Sequence, residues 1–334
     1  MSEAAIANAP TADIVKEADG AVETLAKIRA EIGKVVFGQE RVIELVLSTI
    51  LGGGHALLIG APGLAKTKLV ETTARALGLD WGRVQFTPDL MPSDILGSEI
   101  LDESASGRSF RFVKGPIFTS LLMADEINRA SPRTQSALLQ AMQERHVTVA
   151  GASYDLPKPF HVLATQNPIE QEGTYPLPEA QLDRFLLKVD VTYPDLETER
   201  RILVETTGLQ DHVVKPVLDA DRLMALQSLV RRMPVPEKVL EAIIRLVRSA
   251  RPEQSDHPHV KKRVDWGPSP RAGQALMLAA RSRALLRGRL APSLDDIEAL
   301  AEPALGHRMA LAYDPTGQGG TLSTLIQELA SKAA

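Results

Sequence analysis

Of everything in the chain, Gly60-Ala61-Pro62-Gly63-Leu64-Ala65-Lys66-Thr67 most constrains what it can fold into. This stretch follows a short apolar run, Ala56 to Ile59, and precedes a segment of helical character, Leu69 to Leu77. A strand, a glycine-bearing loop closing on Lys-Thr and then a helix is the layout of a phosphate-binding loop. Ala65 stands where the general pattern has its second glycine. In such a loop, successive backbone N–H groups and the helix N-terminus cradle the phosphates. Lys66 would reach the β- and γ-phosphates, and the Thr67 hydroxyl would ligate Mg2+. The competing reading of this stretch alone is an ordinary strand-to-helix turn with a chance Lys-Thr.

The remaining parts of a nucleotide-hydrolysing site are sought at other strand ends. Ser120 to Ala124 is a largely apolar run, as a buried parallel strand requires, and it ends in Asp125-Glu126. Open α/β sheets bind ligands at the C-terminal ends of their strands. Asp125 there would hold Mg2+ through water, and Glu126 would polarise the attacking water as general base. Asn167 ends a further apolar strand, Phe160 to Thr165, placed to orient that water or touch the γ-phosphate. Arg184 is a candidate arginine finger for a neighbouring subunit; its alternative is a surface ion pair with Asp183 or Glu179. Arg271 follows Ser269-Pro270 in the first turn of a helix, where a guanidinium suits phosphate contact. Its alternative is an exposed arginine on a helical face.

Strands alternating with helical segments up to about residue 192 predict a parallel α/β sheet. Beyond about Asp195 the apolar spacing is helical throughout: Leu223, Leu226 and Val230, then Val239, Ile243 and Leu246. No strand of similar strength appears there. The expected organisation is a flexible N-terminus over 1–18, an α/β core over 19–200 and a small helical lid over 201–334, each domain with its own core. Thr87 to Phe118 is long, polar and punctuated by Pro and Gly, more in keeping with a functional insertion than with a connector. Val147-Thr148-Val149 and Tyr154 to Leu156 flank Ala150 to Ser153 as a hairpin. A net charge of −4 does not suggest a dedicated nucleic-acid binder, and the absence of cysteine excludes disulfides and thiolate zinc sites. No stretch reaches the roughly 20 apolar residues of a transmembrane helix, and the Ala-rich start lacks the basic, apolar pattern of a signal peptide. The expected location is the cytoplasm.

Read together, these segments resemble the AAA+ ATPases of the MoxR family. The resemblance rests on the phosphate loop, on Gln85-Phe86-Thr87-Pro88-Asp89-Leu90 and on Ala124-Asp125-Glu126-Ile127-Asn128-Arg129-Ala130. It continues through Thr134 to Leu139, Met142-Gln143-Glu144-Arg145 and the run from Leu163 to Leu187, which includes Ala164-Thr165-Gln166-Asn167-Pro168-Ile169-Glu170-Gln171-Glu172-Gly173-Thr174-Tyr175. It is dense from about Val36 to Tyr193 and looser in the C-terminal part. Leu-Ala-Lys-Thr is how this family usually writes its loop, so Ala65 does not argue against ATP.

The resemblance implies an AAA+ P-loop core with a helical lid, hydrolysing ATP with Mg2+. By it, Gly60, Ala61, Pro62, Gly63, Leu64, Ala65, Lys66 and Thr67 bind nucleotide, Asp125 and Glu126 form the Walker B pair, and Asn167 is sensor one. It also makes Arg184 the arginine finger and Arg271 sensor two, and it sets Val36 and Gly38 against adenine. Thr87 to Phe118 would be the helix-two insert and Val147 to Leu156 the hairpin before sensor one. Arg129, Arg133 and Arg145 stay open as alternative fingers. A finger in trans implies a homo-oligomer, expected as a hexameric ring, with nucleotide between core, lid and the adjacent subunit. The expected role is chaperone-like remodelling of protein partners, which the resemblance suggests carry a von Willebrand A-type domain. A nucleic-acid motor is the competing reading. It rests on the basic lid residues Arg245, Arg248, Arg251, Lys261, Lys262, Arg263, Arg281, Arg283, Arg287 and Arg289, but no aromatic stacking platform is interleaved with them. A nucleotide switch with negligible turnover is a third, disfavoured by the presence of Glu126 and Asn167.

Overall fold

A computed structural model describes residues 12–104, 107–168, 173–208, 212–312 and 320–334. Residues 1–11 and Ile169 to Glu172 of the family-like run lie outside the described residues. The chain opens with α1 (Ala12–Gly33) and α2 (Glu40–Leu51), followed by β1 (Ala56–Ile59), α3 (Lys66–Ala76) and β2 (Trp81–Gln85). The insertion is built from α4 (Pro92–Leu96), β3 (Gly97–Ser104) and β4 (Gly107–Lys114). Next come β5 (Leu121–Asp125), a 3-10 turn at Ile127–Arg129, α5 (Pro132–Glu144), β6 (His146–Val149), β7 (Ala152–Asp155), β8 (His161–Gln166), α6 (Glu179–Leu182) and β9 (Leu187–Asp190). The C-terminal part holds α7 (Leu196–Thr206), α8 (Ala220–Arg232), α9 (Glu237–Ser249), α10 (Pro258–Arg263), β10 (Val264–Trp266), α11 (Pro270–Leu286), α12 (Leu294–Leu305), β11 (Ala310–Leu311) and α13 (Leu322–Ala333).

The central sheet has the order β2-β5-β8-β1-β9, and every neighbouring pair is parallel. The inner strands β1, β5 and β8 are short and largely apolar because both faces are covered, whereas the edge strand β2 is mostly exposed or half-buried. Side chains alternate between faces along a strand, and this alternation sorts the core. Ala56 and Leu58 of β1, Leu121 and Met123 of β5 and Leu163 of β8 join one apolar cluster. Leu57, Leu122, Ala124, Val162 and Ala164 join the other, beneath α5 and the β6–β7 hairpin. The first cluster does not stop near residue 200: it runs from α1, α2 and α3 into α8, α9, α11, α12 and α13. The apolar clusters thus divide by sheet face, not one to each half of the chain.

Three local expectations are corrected. Residues 12–18, expected to fray, are helical, because Ala18, Ala21 and Leu25 recur at helical spacing and are buried. The β6–β7 loop is a two-residue turn, not four: Ala150 (φ 49°) and Gly151 (φ 85°) both take the left-handed backbone a tight hairpin needs. The lid is not wholly helical, since β10 and β11 pair antiparallel.

Candidate nucleotide site

Because β1, β8 and β5 are adjacent in the sheet, their C-terminal ends bring the phosphate loop, Asn167 and Asp125-Glu126 to one edge. The loop from Pro62 to Lys68, Asp125, Glu126, Thr165 and Asn167 line one cavity of about 380 Å³. Gly60 must be glycine, since a Cβ there would stand 2.5 Å from the Val191 carbonyl oxygen. At Gly63 (φ 81°) a Cβ would meet nothing within 4 Å, so that part of the loop is open to a close-approaching ligand. Ala65 adopts φ 55° directly before α3, the left-handed conformation glycine ordinarily supplies. The Lys66 ammonium donates to the carbonyl oxygens of Gly60 (2.7 Å) and Ala61 (2.8 Å). Burial lowers its pKa, while the nearby Asp125 and Glu126 charges oppose that shift.

The carboxylates are held by Arg83, Thr165, Gln85 and Arg129, of which only Arg129 was a candidate from sequence, and for a different role. Arg83 donates to Asp125 Oδ2 from Nη2 (2.6 Å) and Nε (3.1 Å), and the Thr165 hydroxyl donates to Asp125 Oδ1 (2.6 Å). The same hydroxyl accepts the Glu126 N–H at 2.8 Å. Glu126 itself sits at φ 55°, and its Oε2 accepts from Gln85 (2.8 Å) and Arg129 (2.9 Å). Strand register explains these contacts: Gln85 lies opposite Asp125, so polar residues at the ends of β2 and β8 flank the acids. Arg129, one of the alternative fingers, is thereby drawn into its own chain's cleft.

Thr67 and Asp125 offer hard oxygen donors on one cavity, the donor type Mg2+ takes when phosphates and water complete its octahedron. Among the described residues, Asp125 Oδ1 accepts only the Thr165 hydrogen bond, which leaves acceptor capacity on that oxygen. No cluster of three His, Cys, Asp or Glu suited to a metal occurs among the described residues.

Val36 is buried and Gly38 (φ 66°) lies in the loop before α2. Gln39 Nε2 ties this loop to the Leu64 carbonyl at 3.2 Å. Helix α7 closes over it: the Arg201 guanidinium stacks 4.5 Å from the Phe37 ring centroid, and a Cβ at Gly38 would collide with Thr198. Neither α7 residue was singled out from sequence.

Arg184 and Arg271 are not in this cavity. They line a second one with Asp183 and Arg308. Asp183 pairs with the buried Arg308 at 2.6 Å and accepts from the Ser269 hydroxyl at 2.8 Å, so its partner is not Arg184. Arg184's pKa is lowered, first by burial and then by the Arg271 charge, with Glu144 opposing.

Several basic lid residues are engaged internally. Glu44 of α2 accepts from Arg287 at 2.7 Å and lies near Arg283, while fully buried Asp296 pairs with Arg283 and, at 2.7 Å, with Arg289. Burial works to raise both carboxyls, but the arginine hydrogen bonds and charges outweigh it and hold them low. Arg245 donates to the Ala333 carbonyl and Arg251 to that of Pro268.

Residues 55–187 match the ATPase family associated with various cellular activities (AAA), and residues 258–329 match the AAA lid domain. The chain is 44% identical to Chaperone MoxR1 of Mycobacterium tuberculosis over 88% of its own length and 77% of that protein. It is 35% identical to Protein MoxR of Methylorubrum extorquens, covering 86% of this chain and 88% of that one. A crystal structure of a putative ATPase from Cytophaga hutchinsonii superposes with a TM-score of 0.87 at 37% identity, over 95% of this chain and 96% of the other.

Proposed function

The chain belongs to the MoxR family of AAA ATPases, and on that premise we propose that it is an oligomeric, Mg2+-dependent, chaperone-like ATPase that remodels protein partners. ATP hydrolysis is the activity of the family; the assembly, the cation and the client are the proposal. The observation that carries it is the split of the site. Lys66, Thr67, Asp125, Glu126 and Asn167 share one cavity, whereas Arg184 and Arg271 share another. In this reading the two arginines serve the cleft of the next subunit, and hydrolysis needs the interface.

Within one cleft, the loop N–H groups and Lys66 bind the phosphates. Mg2+, when held by Thr67 and Asp125, would neutralise charge between the β- and γ-phosphates. Glu126 orients and deprotonates the attacking water, itself aimed by Gln85 and Arg129, and Asn167 fixes that water's approach. A ring, commonly of six subunits in this superfamily, places each arginine pair beside a neighbour's phosphates. Assembly also finds support in α7, whose Leu196, Leu203 and Val204 share one exposed face and are 66–76% exposed, beside the nucleotide loop. Exposed apolar faces of this kind mark protein contacts.

No helix among the described residues is long and apolar enough to cross a membrane, and the cytoplasm is the proposed location. Protein clients with a von Willebrand A-type domain are the proposed partners. The lid arginines paired with Glu44 and Asp296 are poorly placed to bind a phosphate backbone, which favours protein over nucleic acid. Capture with Glu126→Gln in ATP tests this. The variant should bind nucleotide, lose turnover by about 10²-fold or more and co-purify with a protein client. Capture of nucleic acid in its place, persisting at physiological salt, would overturn the assignment.

A further inference from the structure

Asp183 links the two chain segments that carry the arginines. It immediately precedes Arg184, and its Oδ2 accepts from the Ser269 hydroxyl at 2.8 Å. Ser269 caps α11, with its hydroxyl accepting from the Arg271 N–H at 3.1 Å. The other carboxylate oxygen is held at 2.6 Å by Nε of Arg308, a side chain 2% exposed. The Arg308 guanidinium also donates to the main-chain carbonyls of Asp183, Phe185 and Leu186, and His307 Nε2 lies 3.1 Å from the Phe185 carbonyl oxygen. A lid segment therefore grips the backbone on both sides of Arg184, and one carboxylate links that segment to the helix start carrying Arg271.

We propose that Asp183, clasped by Arg308 and Ser269, is a positioning residue that locks Arg184 and Arg271 into one unit, so that the pair reaches a neighbouring subunit's phosphates with fixed spacing. Two guanidiniums at one site repel each other, and both side chains are long and mobile. Glu144 offsets part of that repulsion at Arg184, and the backbone grip removes freedom the finger would otherwise have to lose at each turnover. The lid and the finger segment then move together, so a lid displacement in one subunit is delivered to the next subunit's cleft. This rests on the reading of Arg184 as a finger in trans.

Asp183→Asn in the full chain tests it, because the amide keeps the shape and removes the charge. The expected result is a fall in kcat of about 10- to 100-fold with KM for ATP unchanged, since the variant's own cleft is intact. Mixed with Glu126→Gln subunits, it should regain turnover, because a Glu126→Gln subunit presents a correctly held arginine pair to the variant's whole cleft. Wild-type kcat, or a loss that the mixture does not rescue, would overturn the proposal. Should Asp183→Asn fail to fold, Ser269→Ala, which removes a single hydroxyl, is expected to show the same kcat loss and the same rescue; wild-type kcat there would count equally against it. The reading beneath it is tested separately by Arg184→Ala: if that variant keeps wild-type turnover the trans finger itself is wrong, whatever Asp183→Asn does.

Discussion

Ala65 and Glu126 both hold left-handed backbone, each at φ 55°, although neither is glycine. For an L-residue this conformation costs about 1–2 kcal/mol, and such strain gathers at functional sites. At Ala65 the cost is removable. Ala65→Gly should raise unfolding stability by about 1 kcal/mol with nucleotide affinity retained, as read by thermal melting with and without ATP; a lower melting temperature would contradict the assigned backbone. The loop's identity was legible in the spacing of Gly60, Gly63, Lys66 and Thr67, and Ala65 looked like a defect in it. The conformation it takes is invisible in sequence, because it depends on how the loop meets α3. The roles of Arg83, Gln85 and Thr165 were hidden for a related reason. Their partners lie about 40 residues away and are set by strand register, which a pattern of apolar runs does not specify.

At the scale of elements, runs read in one period were recovered and segments that change period were not. Strands β1, β5 and β8 were plain from their apolar runs; α5 opens at Ser131-Pro132, where the Ser131 hydroxyl accepts from Thr134 N. The insertion read as polar and punctuated, with no strand assigned to it, and it holds two eight-residue strands. Most of the apolar residues of these strands are exposed, on both sides of the hairpin: Ile100, Leu101, Phe110 and Val113 face solvent, while Phe112 stacks on Tyr154 of β7 with centroids 4.0 Å apart. That mixture gives no clean alternation to detect. Helix α7 is the opposite case, a helix whose apolar face is left uncovered among the described residues. If that face seals a subunit contact, the double change Leu203→Asp with Val204→Asp should abolish assembly and turnover together while leaving the monomer's melting temperature within a few degrees. Light scattering beside a turnover assay checks it, and an intact, active oligomer would remove α7 from the interface.

At the scale of the whole molecule, sheet and lid are joined through buried polar contacts as well as the shared apolar cluster. His161 of β8 lies 2.8 Å from the Gly54 carbonyl oxygen through Nδ1 and 3.0 Å from Gln227 of α8 through Nε2. His55 accepts the Val162 N–H at 2.9 Å. Burial pushes His161 down to about 4, and burial with the adjacent His161 pushes His55 down to about 3. Both are neutral in the folded chain, whereas the unfolded chain takes up protons below about pH 6.5. Stability is therefore full above that pH and falls as the pH drops toward 4, by about 2 kcal/mol per histidine at pH 5. Denaturant midpoints at pH 7.5 and pH 5 measure this, and equal midpoints would contradict the buried neutral pair. A joined body was not legible in the sequence, which showed two compositional halves and no sign that α1 and α2 pack against the lid. The central proposal belongs to this scale too: that the site is divided, with the phosphate cleft on one subunit and its arginines on another. Mixing Arg184→Ala subunits with Glu126→Gln subunits tests it most directly. Each alone should be nearly inactive, and the mixture should regain ATP turnover well above either. No regain on mixing, or full turnover by Arg184→Ala alone, would contradict it.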